Sequence, residues 1–187
     1  SDEKNVKKMI SFANRHFNQI NVLVNNCSTW FLSPIMDVEI NELDEAYNNI
    51  LKSTIISTKN IAPLMKVKGG FNSIINISSF AGIMPQKNAS IYACLKAAII
   101  HLTKSAASEL VDYGIRVNCV TPGVINTSMT NDYIKKNSDK LLKPISMRRF
   151  GDMEDVANLV AFLSSQYADY INGENIFITG GKYLTQE

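Results

Sequence analysis

The 187-residue sequence predicts an α/β fold, a parallel sheet covered by helices. Three observations carry that expectation. Short apolar runs rich in β-branched residues, Ile20 to Val24, Phe71 to Ile77, Ile115 to Val120 and Asn175 to Thr179, alternate with longer stretches of helical period. The runs close on polar or glycine-bearing corners such as Asn25-Asn26, Ser78-Ser79 and Pro122-Gly123. No internal repeat or low-complexity tract competes, and a chain of this length makes one domain.

Taken in order, Ser1 or Asp2 caps a first helix whose Val6, Met9, Ile10, Ala13 and Phe17 recur at helical spacing up to Asn18. Ile20 to Val24 reads as a buried parallel strand, and its polar end is where ligands dock, because binding crevices in open α/β sheets lie outside the carboxyl ends of strands. Cys27 to Asp37 is a loop holding Pro34. Asn41 is expected to cap a long helix through Met65, with Leu43, Ala46, Tyr47, Ile50, Leu51 and Ile55 on its buried side and Pro63 in its last turns. Lys66–Gly70 is a turn, and Phe71 to Ile77 the second strand. Ser90 to Leu110 is a helix stopped at Gly114, followed by the strand Ile115 to Val120 and a turn at Thr121-Pro122-Gly123. Asn126 to Lys143 is expected to be a polar, mobile lid with some helix after Asn131. Asp152 begins an amphipathic helix with Val156, Leu159, Val160 and Leu163 at core spacing, and Asn175 to Thr179 is the last strand.

Composition excludes several classes. The net charge of +2 comes from scattered residues, with Lys7–Lys8, Lys135–Lys136 and Arg148–Arg149 as isolated doublets, so no nucleic-acid stripe exists. Cys27, Cys94 and Cys119 are odd in number and far apart, which indicates neither a disulfide framework nor a zinc site; Cys27 and Cys94 are read as packing residues. His16 and His101 have no carboxylate cluster beside them, and no metal is expected. No run approaches the roughly 20 apolar residues of a membrane span, and no signal segment opens the chain, so a cytoplasmic protein without a membrane partner is expected. Ser1 stands on what reads as the cap of a helix already under way in a larger fold, and a segment upstream is expected.

The chemistry concentrates in Ser79 to Lys96. On a helix starting at Ser90, Tyr92 and Lys96 stand four residues apart on one face, so an ammonium can sit beside a phenol and draw its pKa down from about 10. Ser79, at the end of the second strand, can hold a carbonyl or alcohol oxygen against Tyr92. The combination points to hydride-transfer chemistry.

These landmarks resemble, in order and over the whole chain, the short-chain dehydrogenase/reductase family. N-N-C-S at Asn25–Ser28 is similar to its N-N-A-G, N-I-S-S ends the next strand, Y-A-C-L-K matches Y-x-x-x-K, and P-G-V-I-N-T matches P-G-x-x-x-T. R-R-F-G-D-M-E-D-V-A and Y-I-N-G-E-N-I-F-I-T-G-G resemble the family's final helix and strand. The resemblance implies a Rossmann-like doubly wound sheet, of which residues 1–187 form a single partial domain holding the C-terminal, substrate-side portion. It implies a hydride moved between NAD or NADP and a small-molecule carbonyl or secondary alcohol. Tyr92 would give or take the proton, Lys96 would lower the Tyr92 pKa and bind the nicotinamide ribose, and Ser79 would orient the substrate oxygen. Asn26 would face the adenosine side of the cofactor, while Pro122, Gly123, Ile125 and Thr127 fall where the family holds the nicotinamide carboxamide. The Ala/Leu/Ile face after Lys96 implies a homodimer or homotetramer.

The sequence departs from the family in three places. The family's active-site asparagine, which supports a water relay to the lysine, aligns with Ile50, which can neither donate nor accept a hydrogen bond; Asn49 is one residue off register and could replace it only through about 100° of helix rotation or a local bulge. Ser28 replaces a glycine. The glycine-rich pyrophosphate turn T-G-x-x-x-G-x-G does not occur, and by family register the chain starts after the third strand, without the residue that selects NAD or NADP and with Ile20–Val24 left as an unpaired edge. An alternative reading follows from these departures, a catalytically impaired relative that acts as a binding or oligomerisation partner.

Overall fold

The computed structural model describes residues 1–65, 71–182 and 184. Helix α1 (Glu3–Phe17) starts where Asp2 Oδ1 accepts the Lys4 amide at 2.8 Å and stops at Asn18, whose φ of 61° ends the helix. Only Ile10 of its apolar stripe is buried, while Met9 and Phe17 are exposed. Strand β1 (Val22–Asn25) follows, shifted from the expected run: Val22 and Val24 are 38% and 42% exposed because β1 is the sheet edge.

Helix α2 (Ile40–Tyr47) is capped by Glu39 rather than Asn41, through a reciprocal box in which the Glu42 carboxylate takes the Glu39 amide. A π-helical turn over Asn48–Lys52 leads into α3 (Ser53–Met65). Tyr47 and Ile55, expected inside, are exposed, because the wider turn rotates the buried stripe onto Ala46, Ile50, Thr54 and Ile56. The expected Lys66–Gly70 turn lies outside the described residues. Strand β2 (Asn72–Ile77), helix α4 (Ser90–Leu110) and strand β3 (Ile115–Pro122) come next, with Gly114 at φ 71° between the last two. Thr121 and Pro122 belong to β3 instead of a turn, paired with Phe177 and Ile178 of β4 (Asn175–Ile178). Between them lie α5 (Asn131–Leu142) and α6 (Met153–Leu163), the latter capped by Asp152 as expected.

The four strands are all parallel in the order β1-β2-β3-β4. Alternation along β2 sends Ile74 to one face and Ile75 to the other. On the first face Ile10, Ile61, Met65, Ile74, Ala106 and Val117 bury together under α1, α3 and α4; on the second, Ile75 and Val120 meet Leu163 of α6. Full burial of each of the Ile, Val, Leu and Met side chains among them stabilises by about 1.5–3 kcal/mol. Helices on both faces of a parallel sheet make the doubly wound α/β arrangement expected from the alternation.

Candidate active site

Parallel strands put all four carboxyl ends at one edge of the sheet, and the predicted chemistry gathers at the end of β2. Ser78 continues the strand: its amide donates to Val120 O at 2.8 Å, and its buried hydroxyl donates to Lys96 O at 2.8 Å. Ser79 then opens a tight turn over Phe80–Gly82, its hydroxyl accepting the Ala81 amide at 3.2 Å. That turn lies flush on α4. A Cβ at Gly82 would stand 2.8 Å from both Ala97 N and the Lys96 carbonyl carbon, so only glycine lets the backbones approach this closely. Ser79, Tyr92 and Lys96 are thus held in one frame by β2, the turn and α4.

Ser79 acts on the Tyr92 phenol as a hydrogen-bond partner. Lys96 behaves differently. Its ammonium is buried, at 3% exposure, lies 5.7 Å from the centre of the Tyr92 ring and donates to Ile77 O at 2.9 Å. The cation therefore sits over the ring instead of beside the oxygen, and the expected lowering of the Tyr92 pKa is not found: burial pushes the phenol above its ordinary value, against a smaller opposing effect of the Ser79 hydrogen bond. Burial also draws Lys96 down to about 8, partly offset by Cys119 and Cys27 nearby. The Cys119 thiol, buried beneath, is pushed up to about 11 by desolvation.

A polar ladder supports the site from below. Asn25 Nδ2 donates to Asn76 Oδ1 at 2.8 Å, Asn76 Nδ2 to Thr103 Oγ1 at 2.9 Å, and Thr103 Oγ1 to Ile99 O at 2.8 Å, tying β1 to β2 and β2 to α4. Buried amides this fully partnered fix register without leaving an unpaired donor. Ile50, 1% exposed, packs with Ala46, Leu95, Ile99 and Cys119 beside the Tyr92 ring. The helix does carry a local bulge here, over Asn48–Lys52, and with it Ile50 still points into this apolar cluster.

The remaining predicted residues spread along the same edge. Asn26 is exposed just past β1, and Ser28 donates its hydroxyl to Thr29 O at 3.2 Å. Pro122 ends β3, and Gly123 donates its amide to Ile178 O at 2.9 Å. Ile125 bridges to Gly151, and its carbonyl accepts the Thr130 hydroxyl at 2.6 Å. The Thr127 hydroxyl lies 3.0 Å from Thr130 Oγ1 in a local turn. Cys27 and Cys94 are exposed, not packing residues. Sequence reasoning passed over Ser78, Asn76 and Gly82. The doubled serine of N-I-S-S carried a signal for the first, whereas the partner of Asn76 and the proximity of Gly82 to α4 are set by contacts between distant segments.

The chain is similar over residues 1–182 to a family described as enoyl-(acyl carrier protein) reductase. It is 37% identical to the 3-oxoacyl-[acyl-carrier-protein] reductase FabG of Staphylococcus epidermidis, over 96% of this chain and 73% of that protein. It is 35% identical to a 7alpha-hydroxysteroid dehydrogenase of Bacteroides fragilis, over 95% of this chain and 70% of that one. Among solved structures, a short-chain dehydrogenase/reductase from Serratia marcescens, determined as a double mutant, aligns with TM-score 0.89 and 31% identity over 97% of this chain and 73% of its own. A gluconate 5-dehydrogenase from Burkholderia cenocepacia in complex with NADP and tartrate aligns with TM-score 0.93 and 25% identity, over 99% and 73%. With the Ser79, Tyr92 and Lys96 frame at the carboxyl edge of a doubly wound sheet, these likenesses show that the chain belongs to the short-chain dehydrogenase/reductase family, the NAD(P)-dependent oxidoreductases that move a hydride between cofactor and a carbonyl or secondary alcohol.

Proposed function

We propose that residues 1–187 work as one domain, the substrate-side portion of the family fold, in which Ser79, Tyr92 and Lys96 reduce a carbonyl or oxidise the matching alcohol. The observation that carries this reading is the Ser79 hydroxyl hydrogen-bonded to the Tyr92 phenol, with the Lys96 ammonium over the same ring. Tyr92 transfers the proton at the substrate oxygen and Ser79 holds that oxygen in place. Lys96 uses one N–H on Ile77 O, which leaves its other donors for a ribose hydroxyl. Nicotinamide supplies or accepts the hydride. The donor set is divided along the edge: Pro122, Gly123, Ile125 and Thr127 border it from β3 on the side read as holding the nicotinamide, while the Thr29 hydroxyl, buried without a hydrogen-bond partner, lies past the end of β1 with Asn26, on the side read as facing the adenosine.

The substrate class to test first is a 3-oxoacyl thioester, from the similarity to the reductase of Staphylococcus epidermidis, and the first cofactor is NADPH, with NADH beside it. A second copy of the chain fits the apolar groove of about 480 Å³ between α3 and α4, lined by Ile55, Pro63, Leu102 and Leu110, as a homodimer or homotetramer. Among the described residues no helix is long and apolar enough to cross a membrane, and a cytoplasmic place accords with that. The test is a fluorescence titration with NADPH and NADH, paired with turnover of acetoacetyl-CoA by wild type and Tyr92→Phe. Saturable binding retained in both, with turnover lost only in the variant, supports the assignment. Unchanged turnover in Tyr92→Phe overturns it, and binding without turnover in wild type favours the impaired-partner reading.

A further inference from the structure

The chain leaving β4 turns back toward the end of β2. Gly180 and Gly181 follow Thr179 at φ 61° and 79°, left-handed conformations that a side chain resists. The space forbids a side chain as well: a Cβ at Gly180 would stand 3.0 Å from Ile145 Cγ2, and one at Gly181 3.0 Å from Ser146 Cβ and Oγ. The turn is fastened where Met147 donates its amide to Gly180 O at 3.0 Å and Ser146 its hydroxyl to Gly181 O at 3.1 Å. Lys182 is the next residue, and these contacts fix where its side chain starts.

That side chain reaches past the end of β3. Its ammonium lies 5.0 Å from the centre of the Phe80 ring, although β3 separates β4 from β2 in the sheet. Phe80 directly follows Ser79, in the turn that Ser79 opens. Chain geometry therefore puts the ammonium at most about 12 Å from the Ser79 Cα. Half-burial draws the amine below the ordinary lysine value, because water solvates its charge only in part. A ring face holds an ammonium by its charge, and an ammonium carries three donors, so a seat on Phe80 is compatible with binding a carboxylate. The lengths agree: a 3- or 4-oxo acid with a hydrogen bond at each end spans about 10 Å from hydroxyl to cation.

We propose that Lys182 is a specificity-determining residue: it binds the carboxylate of an oxo acid whose ketone oxygen is held at Ser79 and Tyr92. The proposal rests on the oxidoreductase reading above and names a substrate class within it, carbonyl compounds with a charged end that a thioester or ester of the same chain lacks. A charge-assisted hydrogen bond at a partly desolvated cation favours the acid by about ten- to hundredfold.

Turnover with NADPH is measured on acetoacetate and on its neutral ethyl ester, in wild type, Lys182→Met and Lys182→Arg. Lys182→Met keeps the stem against Phe80 without the charge, and should lower the acid-to-ester ratio of kcat/KM by about ten- to hundredfold. Lys182→Arg keeps the charge and should keep most of the ratio. A ratio in Lys182→Met within about twofold of wild type overturns the proposal. So does an equal loss in Lys182→Arg, which would mean that shape and not charge matters, and so does a wild type that turns over ethyl acetoacetate or acetoacetyl-CoA but not acetoacetate. If wild type turns over none of these compounds, the functional reading fails, and calorimetric titration with acetoacetate decides for Lys182 alone. Binding that Lys182→Met weakens by about tenfold or more upholds the carboxylate site, and equal or absent binding overturns it. Should Lys182→Met not fold, Lys182→Gln takes its place.

Discussion

Replacing Gly82 by alanine should disable the site while leaving the fold standing. The new methyl would lie 2.8 Å from Ala97 N and from the Lys96 carbonyl carbon, and 3.1 Å from Lys96 Cβ. Two of these three neighbours are backbone atoms inside α4 and cannot rotate away. A relaxed contact between such atoms is about 3.5 Å, so the Phe80–Gly82 turn must retreat by roughly 0.7 Å. Overpacking of this kind costs about 1–3 kcal/mol. Ser79 begins that turn and moves with it, away from Tyr92. Because misplacement of a positioned group by about 1 Å costs on the order of 10²-fold, a ten- to hundredfold loss of kcat/KM is expected. Gly114→Ala is the matched control. It lies at φ 71° with nothing within 4 Å of a new Cβ, at the opposite end of β3, so it should lose about 1 kcal/mol of stability without loss of activity. Urea denaturation and steady-state kinetics on both variants decide. A folded Gly82→Ala enzyme with kcat/KM within about twofold of wild type would refute the reasoning, as would equal losses in the two variants.

Lys96→Met should change the pH dependence of stability. The folded lysine titrates at about 8 and the unfolded one at 10.5, so between those values the unfolded chain holds the proton and wild-type stability rises with pH; below 8 burial of the charge costs on the order of 3 kcal/mol. The variant should therefore be the more stable protein at pH 7, with the gap closing from pH 8 to 10.5, and parallel stability profiles would contradict the burial argument. Ile50→Asn places an amide in an apolar cluster and should lower stability by about 1–3 kcal/mol. It should also raise turnover by restoring a hydrogen-bonding group where the family keeps its asparagine; denaturation and kinetics on one preparation test both, and a fall in turnover would show that residue 50 feeds no proton path to Lys96.

Local patterns determined a good deal here. Helical spacing and a glycine stop placed α4 from Ser90 to Leu110, and short apolar runs rich in β-branched residues placed β2 and β3. The order of Ser79, Tyr92 and Lys96 carried the chemistry, because a strand end and one helix face are local properties of the chain. Boundaries were less legible: Glu39 took the cap expected of Asn41 through a side-chain box with Glu42, and Pro122 extended β3 because β4 was there to pair with it. Only tertiary structure decided where charge settles and which distant segments touch. Tyr92 rises instead of falling because burial outweighs its hydrogen bond, and the cluster it packs in includes Ile50 and Phe31 arriving from two other segments. Likewise nothing local joins Lys182 to Phe80 or seats Gly82 on Lys96. Such contacts are set by the parallel sheet order, which brings residues far apart in sequence to one edge, and a single chain's local periodicity carries no record of that closure.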